Sequence, residues 1–319
     1  MADSSVADRP TVSESEASLP SAKPKVVYVL GAHRSGSTIL GVTLGNCANV
    51  FFAGEVHSWL SRRGVPSSGG EGGAELWRAV RRQVDGAADL FGDETQLYLD
   101  RSSALYRVNK WPIARRLRPR YRRVTEDLYR AIARVTGASH IVDTSHYPLR
   151  ARALQRLDGI ELYILFLARD PQGVVASLDP RNASSGSKSP LTTNMHLWAT
   201  YLLALSVFLR QPRERRLFVR HEDFIADPEG VLRQILDRIG SPASLPDFQA
   251  LNTGSPLQGN RFLRGSGVIA LRREAERPAR SSRTTAVLQR PWAALLSRLR
   301  PAVTASTSDR RSAAGPHQR

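Results

Sequence analysis

The chain has 319 residues, 41% of them hydrophobic, and a single cysteine, Cys47. That is enough apolar content for one large α/β domain or two small ones, and one cysteine excludes both an internal disulfide framework and a thiolate zinc site. The net charge is +17, and only four of the 46 basic residues are lysine. Two stretches hold most of the excess: eleven basic residues against two acidic between Arg101 and Arg134, and thirteen against three from Arg261 onward. Such a field attracts nucleic acid, anionic lipid or small polyanions. An arginine-over-lysine bias is also what GC-rich coding produces, so charge by itself does not argue for nucleic acid as the partner. No run of eighteen apolar residues occurs and the first 25 residues lack a signal-peptide core, so the expected localisation is cytoplasmic.

Residues 1–24 carry no periodicity and are expected to be a disordered tail, with a matching tail at 301–319. Between them, 25–300 reads as one domain. Val26–Leu30 predicts a first strand and Leu40–Cys47 a helix, followed by a short second strand at Val50–Ala53 that ends on Gly54-Glu55. Residues 61–73 are Gly- and Ser-rich and read as a loop. From Ala74 to Thr136 the pattern is helical and arginine-rich, interrupted by Pro112 and Pro119, so 61–137 is expected to be a variable helical insertion on the acceptor side. His140–Val142 then predicts a strand, Pro148–Leu157 a helix and Glu161–Ala168 a continuous apolar strand of the kind buried in parallel sheets. Asp170 as N-cap and Pro171 at the first helical position open another helix. Leu191–Arg210 is a long helix in which Trp198 reads as core, Arg216–Val219 a strand, and Pro228–Ile239 a helix capped by Asp227 and closed by Gly240. Pro291–Leu299 reads as a last amphipathic helix.

Strands alternating with helices predict an α/β fold: a doubly wound, P-loop-like parallel sheet flanked by helices, with the ligand along the carboxyl ends of the strands. Residues 31–38, 54–57, 143–146 and 169–177 all follow strands and should meet there.

The most informative stretch is 26–40, VVYVLGAHRSGSTIL. A strand, a glycine turn and a helix start is the order that aims backbone N–H groups at an anion. Gly31, Gly36 and Thr38 fit the G-x-x-x-x-G-K-[ST] frame of nucleoside-triphosphate binders, but Ser37 stands where that frame has its lysine. The nearest cation is Arg34, inside the loop.

GAHRSGST after one strand, FLARDPQGVVASL after another, VRHEDFIADPEGVLRQILDRIG and QGNRF together resemble sulfotransferases that use 3′-phosphoadenosine 5′-phosphosulfate, most closely bacterial and carbohydrate-directed members. The resemblance runs in order over about 25–265, with 61–137 unmatched. It implies that the backbone of Arg34, Ser35, Gly36, Ser37 and Thr38 cradles the 5′-phosphosulfate, with the Ser37 and Thr38 hydroxyls donating and Arg34 supplying charge. It implies Arg169 and Ser177 as the 3′-phosphate site; the other readings are an ion pair with Asp170 or a helix end for Arg169, and an ordinary helix residue for Ser177. It also implies that Gly259, Asn260 and Arg261 form a late loop wrapping the nucleotide, with Arg261 adding a second contact to the 3′-phosphate.

Transfer to a hydroxyl requires a proton acceptor near the sulfate. Glu55 matches the glutamate of many relatives, and His57 is the alternative base. At 143–146 this chain reads Asp-Thr-Ser-His, with His146 where relatives carry a lysine; Asp143 and Ser145 fit a strand end and a helix cap as well. HEDFIADPEGVLRQIL reads as architecture. Sulfuryl transfer needs positioning and charge neutralisation more than covalent help, so no metal is expected, and no metal-ligand spacing is present.

The expected reaction therefore moves a sulfuryl group to an acceptor hydroxyl of a carbohydrate, glycolipid or small natural product, with peripheral membrane contact as a further partner and the oligomeric state open. The alternatives are a P-loop nucleotide kinase or NTPase, which requires a lysine at 37 and an acidic strand end such as Asp143 for Mg²⁺, and a basic nucleic-acid-binding protein.

Overall fold

The computed structural model describes residues 23–67, 70–177, 190–259, 263, 267–271 and 283–299. Both tails expected to be disordered fall outside these but for a residue or two, as do Asn260, Arg261 and residues 178–189.

Five strands form one parallel sheet in the order β2-β3-β1-β4-β5: β1 Lys25–Gly31, β2 Val50–Gly54, β3 His140–His146, β4 Glu161–Ala168 and β5 Arg216–Arg220. The central pair is in register from Lys25 opposite Glu161 to Gly31 opposite Leu167. The β1 side chains alternate between two cores, as the pleat requires. Val26, Tyr28 and Leu30 join Ile164 and Phe166 on one face, while Val27 and Val29 join Leu165 and Leu167 on the other. Both faces are thus buried, which is why β4 is apolar at almost every position. A two-stranded antiparallel pair, β6 (Leu251–Asn252) and β7 (Val268–Ile269), stands apart from this sheet.

α1 (Ser37–Gly45) and α9 (Pro228–Ile239) cover the second face. Gly41 and Gly45 let α1 lie directly on the Phe52 side chain. α9 begins as the sequence suggests: Asp227 accepts from Gly230 N at 2.9 Å, and Gly240 closes it in the left-handed conformation.

The first face is covered by α2 (Gly70–Arg82), a short turn α3 (Asp93–Thr95) that runs on through residues 96–105, α4 (Trp111–Thr136), α5 (Pro148–Leu154), α7 (Pro190–Arg210) and α10 (Arg283–Arg298). α6 (Pro171–Ser177) follows β4, with Asp170 Oδ1 accepting from Gln172 N at 3.0 Å, and α8 (His221–Ala226) follows β5.

Two expectations change. α4 runs unbroken through Pro119. The missing N–H frees only the Arg115 carbonyl, on the largely exposed first half of the helix. The second half holds the helix in place by burying Tyr121, Val124, Leu128, Tyr129 and Ile132. α10 likewise passes through Pro291 and begins eight residues earlier than expected, at Arg283. Trp292, on that helix, is buried and stacked on Tyr201 of α7 at 4.8 Å, with Trp198 edge-on at 5.4 Å. Trp198 is a packing residue, as its helix position suggests. Among the described residues no helix is long and apolar enough to cross a membrane.

Candidate functional site

The carboxyl ends of β1, β2, β3 and β4 bring the sequence-predicted segments together. β1 ends on Gly31, where any side chain would strike the Leu167 carbonyl of the neighbouring strand. The loop Ala32–Gly36 then makes two left-handed steps, at Arg34 (φ 66°) and Gly36 (φ 90°), before α1 begins. Leu40 N is the first helical donor, bonding Gly36 O at 3.2 Å. The amides of Ser37, Thr38 and Ile39 therefore have no helical carbonyl to bond, and they carry the positive end of the α1 dipole. Ser35 is turned inward: its hydroxyl donates to Ala32 O at 2.7 Å and braces the turn, leaving only its backbone to a ligand. Arg34 is exposed.

Arg169, one residue past β4, bends back to this loop and donates from Nη1 to Arg34 O at 3.2 Å. Gly173 leaves room for it, since a β-carbon there would sit 3.3 Å from Arg169 Nε. The arm is held from both sides: Tyr201 OH donates to Arg169 O at 3.3 Å, and Glu222 Oε1 accepts from Asp170 N at 2.7 Å. Arg169 is thus not an ion-pair partner of its neighbour Asp170, whose carboxylate caps α6. Ser177 is the last residue of α6; its side chain lies outside the described residues, as do Asn260 and Arg261. Gly259 is described and sits beside Thr38. Just before it, Gln258 O accepts from Glu55 N at 2.8 Å, and Gly54 (φ 76°) packs on the same carbonyl. The late loop thus reaches both the β2 end and the start of α1.

Glu55 follows β2. Burial pushes its carboxyl up to about 7, nearby Asp143 adds to the rise, and Arg34 opposes it. His57, two residues on, is buried; its N–H donates to Ser145 Oγ at 2.9 Å, and its ring meets Tyr147 edge-on at 4.6 Å. Burial, Arg150 and His33 hold its imidazole well below the ordinary histidine range. His146, in a left-handed conformation (φ 54°), bonds Thr144 O at 3.1 Å through Nδ1 and His33 Nε2 at 3.1 Å through Nε2. Burial and its two histidine neighbours hold it well below the usual range too. It is therefore neutral near pH 7 and does not replace the positive charge of a lysine.

Under these groups lies a buried ionic cluster that sequence reasoning missed. Asp143 Oδ1 accepts from Ser145 N at 2.8 Å, from the Ser145 hydroxyl and from Val56 N. Its Oδ2 accepts from Tyr129 OH at 2.6 Å and lies 3.5 Å from Arg150 Nε. Arg150 donates to Tyr121 OH at 2.7 Å and Tyr129 OH at 3.2 Å, and Tyr121 in turn bonds Asp100. Asp143 is fully buried and committed to these partners, so it is not open to a Mg²⁺ ion. Among the described residues no group of three or more His, Cys, Asp or Glu could hold a metal.

His221 was also missed, having been read with its neighbours as architecture. Its imidazole lies against Gly36. Its place as the first residue after β5 was the available signal.

This edge can hold an anion against α1, bring a second cation to it from β4, and present a carboxyl of near-neutral pKa beside it. A family model of the sulfotransferases matches residues 24–245. The chain belongs to the sulfotransferase family. No curated protein matches this sulfotransferase. Among solved structures, the sulfotransferase domain from the curacin biosynthetic pathway is 17% identical, covers 85% of this chain and 98% of its own, and gives a TM-score of 0.50. The sulfotransferase domain of the Synechococcus PCC 7002 olefin synthase is 19% identical over 86% of this chain and 97% of its own, also at 0.50. At such identities the likeness is one of fold: a mostly parallel sheet flanked by helices.

Proposed function

We propose that this sulfotransferase moves a sulfuryl group from 3′-phosphoadenosine 5′-phosphosulfate to an acceptor hydroxyl of a carbohydrate, glycolipid or small natural product, with Glu55 as the base. The observation that carries the reading is the bond from Arg169 to Arg34 O. It brings the β4 arginine to the loop whose lysine position is filled by Ser37, so one anion site becomes two adjacent ones.

The residues fit such a donor. Arg34 through Thr38 supply backbone amides, the hydroxyls of Ser37 and Thr38 and a guanidinium for the phosphosulfate, and Arg169 offers a planar fork for the 3′-phosphate. Ser177, Asn260 and Arg261 complete the 3′-phosphate side on the resemblance alone. The donor supplies an activated sulfur–oxygen bond. Glu55 takes the proton of the acceptor hydroxyl as that oxygen bonds to sulfur. Arg34 and the α1 amides hold the charge that gathers on the phosphate oxygen as the old bond breaks. Glu55 suits this task better than His57: its proton leaves near pH 7, whereas burial makes the His57 imidazole a weak base.

Titration calorimetry with adenosine 3′,5′-bisphosphate and AMP tests the reading. The bisphosphate should bind at least tenfold more tightly, and Arg169→Ala should erase the difference. Equal affinities in the wild-type protein would refute it.

A further inference from the structure

We propose that the face formed by residues 98–122 and 149–156 docks on an anionic lipid surface, with acidic headgroups seated among five arginines. A cavity of about 720 Å³ lies between the first half of α4, α5 and the turns before α4. Arg115, Arg118 and Arg122 enter it from α4, and Arg152 and Arg156 from α5 and the turn after it; no Asp or Glu lines it. The spacings of three and four residues place the α4 set on one helix face.

Elsewhere on α4, Arg120 pairs with Asp89, and Arg130 with Glu126 and Asp127. Among the described residues none of the five cavity arginines has an ion pair, and Arg122 Nε is buried without a hydrogen-bond partner. Burial, and then the charges of Arg122, Arg156 and Arg152, press the Arg118 guanidinium below its ordinary pKa.

Two exposed apolar side chains, Leu105 and Trp111, line the cavity, and Tyr106, Val108 and Ile113 close by in the chain are exposed too, Tyr106 by 78% and Trp111 by 53%. Single exposed hydrophobics need no explanation, but five within nine consecutive positions are more than scatter. Trp111 is held in place, its indole N–H donating to Ala104 O at 3.2 Å, and both it and Leu105 line the cavity. A nucleic acid would satisfy the arginines and leave Leu105, Val108 and Ile113 in water. A bilayer surface takes both, with acidic headgroups at the guanidiniums and the aromatic and aliphatic side chains at the acyl boundary.

The test is co-sedimentation of the full chain with vesicles of phosphatidylcholine alone or with about one third phosphatidylglycerol, at physiological salt. Because the whole chain is basic, variants decide. Arg118→Gln/Arg122→Gln and, separately, Trp111→Ser/Ile113→Ser should each weaken binding to the mixed vesicles at least about tenfold while the melting temperature stays close to wild type. Arg233→Gln/Arg238→Gln, the same charge removed from α9 on the opposite face, should leave binding unchanged. Absence of binding to the mixed vesicles, an equal loss in the α9 variant, or full binding by the Trp111 variant would overturn the proposal. So would stabilisation by inorganic phosphate, or tight binding of duplex DNA through the same arginines, without vesicle binding.

Discussion

The imidazole of His221 stands against the α-carbon of Gly36, where the loop after β1 turns into α1. Gly36 has φ 90°, a conformation that L side chains rarely adopt, so two separate constraints exclude a β-carbon there. Gly36→Ala should cost about 1–3 kcal/mol of stability and displace the Ser37 and Thr38 amides. Affinity for adenosine 3′,5′-bisphosphate should fall at least tenfold by calorimetry. His221→Ala added to Gly36→Ala should recover only the part due to collision, because the backbone strain remains.

A carboxyl whose pKa stands at about 7 is protonated over much of the acid range and becomes a base near neutrality. kcat/KM should therefore rise as pH climbs from 6 to 8, if Glu55 is the proton acceptor. Glu55→Gln should lower kcat about 10²- to 10⁴-fold and flatten that limb, with adenosine 3′,5′-bisphosphate affinity nearly unchanged. The same raised pKa makes a stability prediction of defined sign. The folded state holds this proton more tightly than the unfolded chain, so the stabilisation it gives is complete below about pH 4.5 and is lost as pH rises through 7. Urea melts of wild type and Glu55→Gln should converge at low pH and separate above it, with the variant the more stable. If His57→Ala abolishes the pH limb instead, the base is His57.

The sheet was legible because its signals are local. β1 and β4 are continuous apolar runs, each strand ends near a Gly, Asp or Arg, and Asp227 and Gly240 cap α9 by side-chain and backbone chemistry that needs no tertiary partner. The turn from β1 into α1 was legible for the same reason, since glycine spacing and a helix start suffice to read it. What local signals cannot carry is partnership. Pro119 reads as a helix breaker and Pro291 as a helix start, yet both helices run through them, because Tyr129 and Trp292 further along are buried against distant elements. Nothing local in PLRARAL sets Arg150 apart from Arg152 as the buried one. Only the fold shows that Asp100, Tyr121 and Tyr129, all from the stretch that the motifs do not cover, close around it.

That cluster ties the stretch before β3 to the ends of β2 and β3. Arg150 is buried between Asp143 and Asp100, and burial pushes the Asp100 carboxyl up to about 6 even with Arg150 beside it. Arg150→Met should leave two buried carboxyls without a counter-charge and cost about 3–5 kcal/mol by chemical denaturation. Arg150→Lys should recover little, since one ammonium cannot reach both tyrosine hydroxyls and both carboxylates. Because Asp143 also holds Val56 N and Ser145, the surviving folded protein should show reduced kcat with adenosine 3′,5′-bisphosphate affinity less affected. A variant that keeps full stability would show that the cluster does not hold the site together.

The last helix tests where the domain ends. The family match stops at residue 245, yet α10 supplies Trp292 to the face of α7, the helix whose Tyr201 also bonds Arg169 O. Trp198 adds a second tie, its indole donating to Leu288 O at 3.0 Å. Trp292→Ala should cost about 3–5 kcal/mol. The loss should extend to the donor site, because Tyr201 is held between the stacked indole and the Arg169 backbone. Removal of residues 283–319 should therefore lower the melting temperature and weaken adenosine 3′,5′-bisphosphate binding, whereas removal of 301–319 alone should leave both unchanged. If the longer truncation keeps wild-type stability and affinity, the domain ends before α10, and the helix is an appendage to the sulfotransferase core.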